Sequence, residues 1–168
     1  MKALIFVFFL MISMICTACA TVTALHGDKD GFGLGVQADE QFNFRLIDSR
    51  IISGDGDGTD VFWRIPKGTD HYTWEFSYSR LDKPIRAAKL EIFHGGAWEG
   101  SQLYIDDHFI GCLSGGEGPD RVGTWARIDR FDLPMSALPL LDGDNTLKIK
   151  TIWGDNIALD YFELKLIY

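Results

Sequence analysis

The sequence predicts an all-β domain, an antiparallel β-sandwich or jelly roll, and three observations predict it. Apolar residues alternate with polar ones at the two-residue period of half-buried strands, no segment of useful length carries a helical period, and glycine-rich turn signals punctuate the apolar runs. A parallel α/β sheet would need helices between its strands, whereas many short strands bounded by turns fit a sandwich. At 168 residues the chain has room for one ordinary domain. A composition of 46% hydrophobic and 24% charged residues is that of a globular chain and excludes disorder as a description of the whole.

Taken in order, the chain opens with MKALIFVFFLMISMICTACA, in which Lys2 precedes an apolar run from Ala3 to Ile15 and Ala18-Cys19-Ala20 offers small residues for cleavage. This pattern is a secretory signal peptide, residues 1–20, with a single β-sandwich domain over 21–168. The run is too short for a membrane span, so no transmembrane anchor is expected after processing. Thr17-Ala18-Cys19 also admits a lipid anchor at Cys19, although Cys16 stands where such motifs carry an aliphatic residue. Cleavage after Ala20 leaves Cys112 alone, so no intrachain disulfide can staple the fold. Its alternation with Ile110 reads as a small buried residue rather than a nucleophile.

The clearest strand is His71-Tyr72-Thr73-Trp74-Glu75-Phe76-Ser77-Tyr78-Ser79, where four aromatic rings fall on one face, which is assigned to the core. Similar runs extend from Phe42 to Ile47, Val61 to Ile65, Ala87 to Phe93, Gln102 to Ile105, His108 to Leu113, Trp125 to Leu133, Leu147 to Trp153 and Ala158 to Ile167. Asp30-Gly31, Asp55-Gly56, Asp57-Gly58, Gly95-Gly96, Gly115-Gly116 and Asp142-Gly143 mark turns between them. Pro134 to Leu141 has space for one short helical turn. Trp74 and Trp125 are assigned to the core, and Trp63 joins them.

Sixteen Lys+Arg against 24 Asp+Glu give a net charge of −8, which argues against nucleic acid and anionic membrane surfaces as partners. Neutral sugars and divalent cations are compatible with such a surface. If Phe162, Leu164 and Leu166 point inward, the period of two places Asp160 on the same side of its strand. A buried carboxylate there needs a backbone amide cluster, an arginine, a proton or a metal. Asp28 and Asp30, one residue apart in a glycine-flanked loop, offer the oxygen ligands that a hard cation takes.

Three stretches resemble galactose-binding-like β-sandwiches. Leu141-Asp142-Gly143-Asp144-Asn145-Thr146-Leu147 is similar to their Gly-x-Asn-x-Leu turn into a strand, and Leu103 to Gly111 to their hairpin with an acidic tip. Ala158-Leu159-Asp160-Tyr161-Phe162-Glu163-Leu164 resembles the closing strand of the calcium-containing carbohydrate-binding modules of that superfamily. Gly27 to Gly33 looks like the start of exported bacterial proteins. The resemblance implies a jelly roll with a structural Ca²⁺ held by Asp160 together with oxygens from the start of the domain, hence Asp28 and Asp30. It also implies an exported, periplasmic, extracellular or cell-surface location and carbohydrate as the ligand class. Asp55 to Asp60 alternates oxygen side chains like the opening of an EF-hand, but Pro66 stands where the bidentate glutamate belongs, and a solvated turn is the better reading.

Sugar recognition needs an exposed ring and a few polar groups. Trp98, in His94-Gly95-Gly96-Ala97-Trp98-Glu99-Gly100, sits in a loop, so His94, Trp98 and Glu99 form the expected contact, joined by Arg121 from the loop after Cys112 and by Trp153. No Gly-x-Ser-x-Gly, His-Glu-x-x-His or phosphate-binding glycine loop appears, and His26, His71, His94 and His108 lack zinc-ligand spacing. The expected function is therefore a non-catalytic binding module for a carbohydrate or other cell-surface ligand. The alternatives are a structural or assembly protein of the cell envelope and a small polysaccharide-active enzyme drawing on Glu75, Glu91, Glu99 or Glu117.

Overall fold

The computed structural model describes residues 19–42, 61–63, 70–97, 100–115, 124–151 and 157–168. The strands are β1 (Thr21–Gly27), β2 (Gln41–Phe42), β3 (Val61–Trp63), β4 (His71–Ser77), β5 (Ala87–Gly95), β6 (Gln102–Ile105), β7 (His108–Cys112), β8 (Thr124–Asp132), β9 (Asp144–Lys150) and β10 (Ile157–Ile167). They form two antiparallel sheets, one ordered β1-β10-β5-β8-β2 with β3 also paired to β10, the other β4-β9-β6-β7. The all-β expectation holds, and a 3₁₀ turn, Leu138–Leu140, falls inside the stretch with space for one.

Alternation builds the core between the sheets. Leu90 and Ile92 on β5, Leu147 and Ile149 on β9, and Phe162, Leu164 and Leu166 on β10 bury against Leu103, Ile105 and the β4 rings of Tyr72, Trp74 and Phe76. Each such side chain removed from water contributes roughly 1.5–3 kcal/mol. The hairpin tip uses its two acids structurally. Asp106 and Asp107 both have positive φ, 46° and 63°, as a two-residue type I′ turn requires. The Asp106 carboxylate then accepts the Thr146 amide at 2.8 Å and the Asn145 side-chain amide. The two turn motifs at Leu103–Gly111 and Leu141–Leu147 thus lock onto each other.

A second, smaller apolar cluster lies on the far side of the β1-β10-β5-β8-β2 sheet: Phe93, Ala126, Ala158 and Tyr161 from the strands, with Phe32 and Val36 laid over them. Topology explains it. Strands β1 and β2 follow each other in sequence yet occupy opposite edges, so residues 28–40 must cross the outer face of the sheet. Partway across, the Gly35 and Val36 amides donate to the Asp30 and Gly31 carbonyls five residues back, a wide turn in which Gly31 has φ 75°. A Cβ on Gly31 would lie 2.3 Å from the Val36 nitrogen, so only glycine fits.

Two expectations need correction here. Cys112 is exposed, because a register shift between Leu103 and Tyr104 in the β6/β7 pairing turns it outward opposite Gln102. Trp125 belongs to neither apolar cluster and lies half-buried beneath the Arg127 guanidinium, 5.4 Å from the ring centre. The side chain of Trp63 and the expected strand beyond Phe42 lie outside the described residues.

Candidate metal centre

Strand β10 carries an irregularity where the alternation argument placed Asp160. Its register against β5 shifts between Leu159 and Tyr161, leaving residue 160 as the extra residue of a bulge. Alternation therefore does not carry through from Phe162 to Asp160. The carboxylate instead meets the crossing segment on the outer side, where its Oδ1 accepts the Phe32 amide at 2.6 Å. Asp160 is 0% exposed, and its Oδ2 has no hydrogen-bond partner.

Asp28 and Asp30 arrive at the same place because β1 ends at Gly27, whose φ of 85° turns the chain off the sheet edge beside Tyr161. Asp28 folds over its own backbone, Oδ1 accepting the Asp30 amide at 3.2 Å. One carboxylate oxygen from each of Asp28, Asp30 and Asp160 then lies within 4.8 Å of the other two. Two oxygens on opposite sides of a calcium ion, each at 2.3–2.6 Å, stand about 5 Å apart, so the three can share one ion. Burial, reinforced by the neighbouring charge of Asp30, pushes the Asp160 carboxyl up to about 7, against the opposing pull of the Phe32 amide. Three like charges in so small a space call for a cation or a proton. An all-oxygen set suits a hard cation.

Lys29, between the two aspartates in sequence, reaches the sheet instead. It pairs with Glu163, approaches Glu91 at 3.8 Å and lies 4.6 Å over the Tyr161 ring. Glu91 also receives the Tyr161 hydroxyl and Arg130, each at 2.8 Å. Burial acts to raise the Glu91 carboxyl, but those hydrogen bonds and charges hold it below its ordinary value. This network and the Phe32 plug escaped sequence reasoning. Phe32 between two glycines was the available signal.

The expected ligand residues fare differently. His94 is 0% exposed, inside the sandwich, with Nε2 2.9 Å from Asp129 Oδ2, so it presents no surface to a sugar. Asp129 also accepts the Ser114 amide at 2.7 Å, and although burial acts to raise its carboxyl, His94 and Ser114 together hold it low. Trp98, Glu99, Arg121, Trp153 and the loop from Asp55 to Asp60 lie outside the described residues. The segments carrying the first four leave from the same end of the sandwich: β5 ends at Gly95, β8 starts at Thr124, β10 starts at Ile157 and β9 ends at Lys150. Gly95 pairs with both Ala126 and Ala158 there. Of the glutamates considered for catalysis, Glu75 is exposed and Glu91 is tied into the network above. The expected export segment lies outside the described residues apart from Cys19, which is exposed, and Ala20. Among the described residues no helix is long and apolar enough to cross a membrane.

No protein-family profile matches the chain, and no curated protein does. Among solved structures, the chain is similar to dimeric latent PorU from Porphyromonas gingivalis, with a TM-score of 0.51 at 12% identity. The match covers 89% of this chain but 13% of that one, so the likeness is one of fold alone, to a small part of a larger protein.

Proposed function

We propose that the chain is an exported recognition module of the galactose-binding-like type, holding a structural Ca²⁺ through Asp28, Asp30 and Asp160 and contacting a carbohydrate or other cell-surface ligand. The observation that carries the metal is the buried, unpartnered Asp160 Oδ2 facing two further carboxylates. Support for the ligand surface is the common end of the sandwich from which the segments bearing Trp98, Glu99, Arg121 and Trp153 depart. Residues 1–20 act as the export signal. The Ala20 carbonyl accepts the Tyr168 amide at 3.0 Å, a bond kept if processing leaves a lipidated Cys19 as the first residue and lost if it follows Ala20.

Calcium bound only by the native state must stabilise it. At a concentration one hundred times Kd the gain is about 2.7 kcal/mol, which raises Tm by roughly 5–10 °C for a chain of this size. Melting the protein in EDTA and after calcium is restored measures this, and superimposed curves would remove the metal. Tryptophan fluorescence titrated against a glycan panel tests the ligand surface, which is lost if Trp98→Ala responds as the parent does.

A further inference from the structure

We infer that calcium at Asp28, Asp30 and Asp160 fastens residues 28–40 as a detachable strap over the apolar patch formed by Phe93, Ala126, Ala158 and Tyr161. The inference rests on the proposed metal site and extends it from a structural ion to one that decides whether a surface is covered.

The strap is a crossing of four inter-strand steps, from β1 at one edge to β2 at the other. At roughly 4.8 Å per step it spans about 19 Å, far less than thirteen extended residues reach, so the segment has slack and is not held down by tension. Its two ends differ. The far end is a continuation of the β-ladder: the Asp39 amide donates to the Ala126 carbonyl at 2.9 Å and the Ala126 amide to the Glu40 carbonyl at 2.9 Å. Among the described residues the near end shows no backbone-to-backbone ladder with the sheet beyond Gly27, the Phe32 amide going instead to the Asp160 side chain. The backbone bonds of its turn close on itself, Gly35 to Asp30 and Val36 to Gly31, and Leu34 and Gly35 face water. Among the described contacts, the near end is held to the sheet by Phe32, 1% exposed with its ring centre 5.0 Å from that of Phe93 and its amide donating to Asp160 Oδ1 at 2.6 Å, by buried Val36, and by the meeting of the strap's two aspartates with Asp160. Docking Phe32 forces three carboxylates together, one of them fully buried. A divalent cation turns that repulsion into attachment, while the exposed Lys29 pairs add little. When the ion leaves, the near end lifts as a unit and the patch beneath it opens, while the inter-sheet core is untouched.

Amide hydrogen exchange on the full chain tests this, with calcium binding measured separately by titration calorimetry. In calcium the Phe32, Gly35 and Val36 amides exchange at least tenfold more slowly than in EDTA, while Tyr72 to Phe76 in β4 change little, and trypsin cuts after Lys29 only in EDTA. Asp160→Asn keeps the acceptor for the Phe32 amide but removes the buried charge, so its strap exchange no longer depends on calcium. Asp30→Asn, on the strap itself, gives the same loss of dependence should the first variant fail to fold. Calcium binding with unchanged exchange at 32–36 overturns the strap and leaves the metal site standing. A uniform slowing that includes β4 also overturns it, as global stabilisation. Absence of binding overturns both.

Discussion

The two apolar clusters on either side of the β1-β10-β5-β8-β2 sheet are closed in different ways. Between the sheets, alternating Leu, Ile and Phe residues on paired strands meet a second layer built on the same principle, and Phe162, Leu90 and Leu147 are buried in one continuous apolar cluster. On the outer face, Phe93 and Tyr161 are covered by a single crossing segment whose near end brings together Asp28, Asp30 and Asp160. Sheet-on-sheet burial is unconditional once the strands pair. Cover by the crossing segment depends on how the carboxylates are neutralised, so one side of the sheet is fixed and the other is conditional.

Matched truncations break this comparison most sharply. Phe162→Ala, in the middle of the inter-sheet core, costs about 4 kcal/mol of global stability. Phe32→Ala removes an equally buried ring but costs no more than about 2 kcal/mol, because the segment can undock locally without unfolding the sandwich. Urea denaturation of the two variants measures the difference, and equal losses would make the cover part of the core.

The next effect is one of pH. In metal-free protein the Asp160 carboxyl is raised to about 7 from an ordinary 3.8. The native state then binds more protons than the unfolded chain between those values. Stability is therefore full at the acid end and falls as pH rises toward 7, by up to about 1.4 kcal/mol per pH unit. Saturating calcium or Asp160→Asn flattens this dependence, and thermal melts across the range would show it. A metal-free protein that gained stability over the same interval would contradict the placement of Asp160. Smallest is the exposed Arg130–Glu91 pair. Arg130→Ala shifts stability by less than about 1 kcal/mol, a difference that 1 M salt removes in paired melts.

The strands of the inter-sheet core were legible because alternation is strong where one face is buried, as Tyr72, Trp74 and Phe76 illustrate. β1 was not. It follows the expected export segment directly, and of its inward positions Val22, Ala24 and His26 only Val22 is a sizeable apolar residue while Leu25 is exposed, so the pattern is faint. The candidate site shows both sides of the same limit. The trio Asp28, Asp30 and Asp160 was legible from residue chemistry and resemblance, yet the alternation used to face Asp160 inward fails at the bulge beside Leu159. Bulges depend on local register and leave no mark in composition, which is also why Cys112 is exposed where simple alternation with Ile110 faces it inward. His94 looked like a loop residue because glycines follow it, but β5 continues through it to Gly95 and its ring pairs with Asp129 inside.

The partnership of β1 with β10 has a consequence for how the molecule comes into being. Thr21 lies opposite Ile167, so this ladder joins nearly the whole span of the chain. A polypeptide delivered amino-terminus first, from a ribosome or through a pore, cannot pair its opening strand until residue 167 emerges. Such non-local closure is slow. The β1–β10 ladder is therefore among the last parts of the domain to close, whatever order the inner strands pair in.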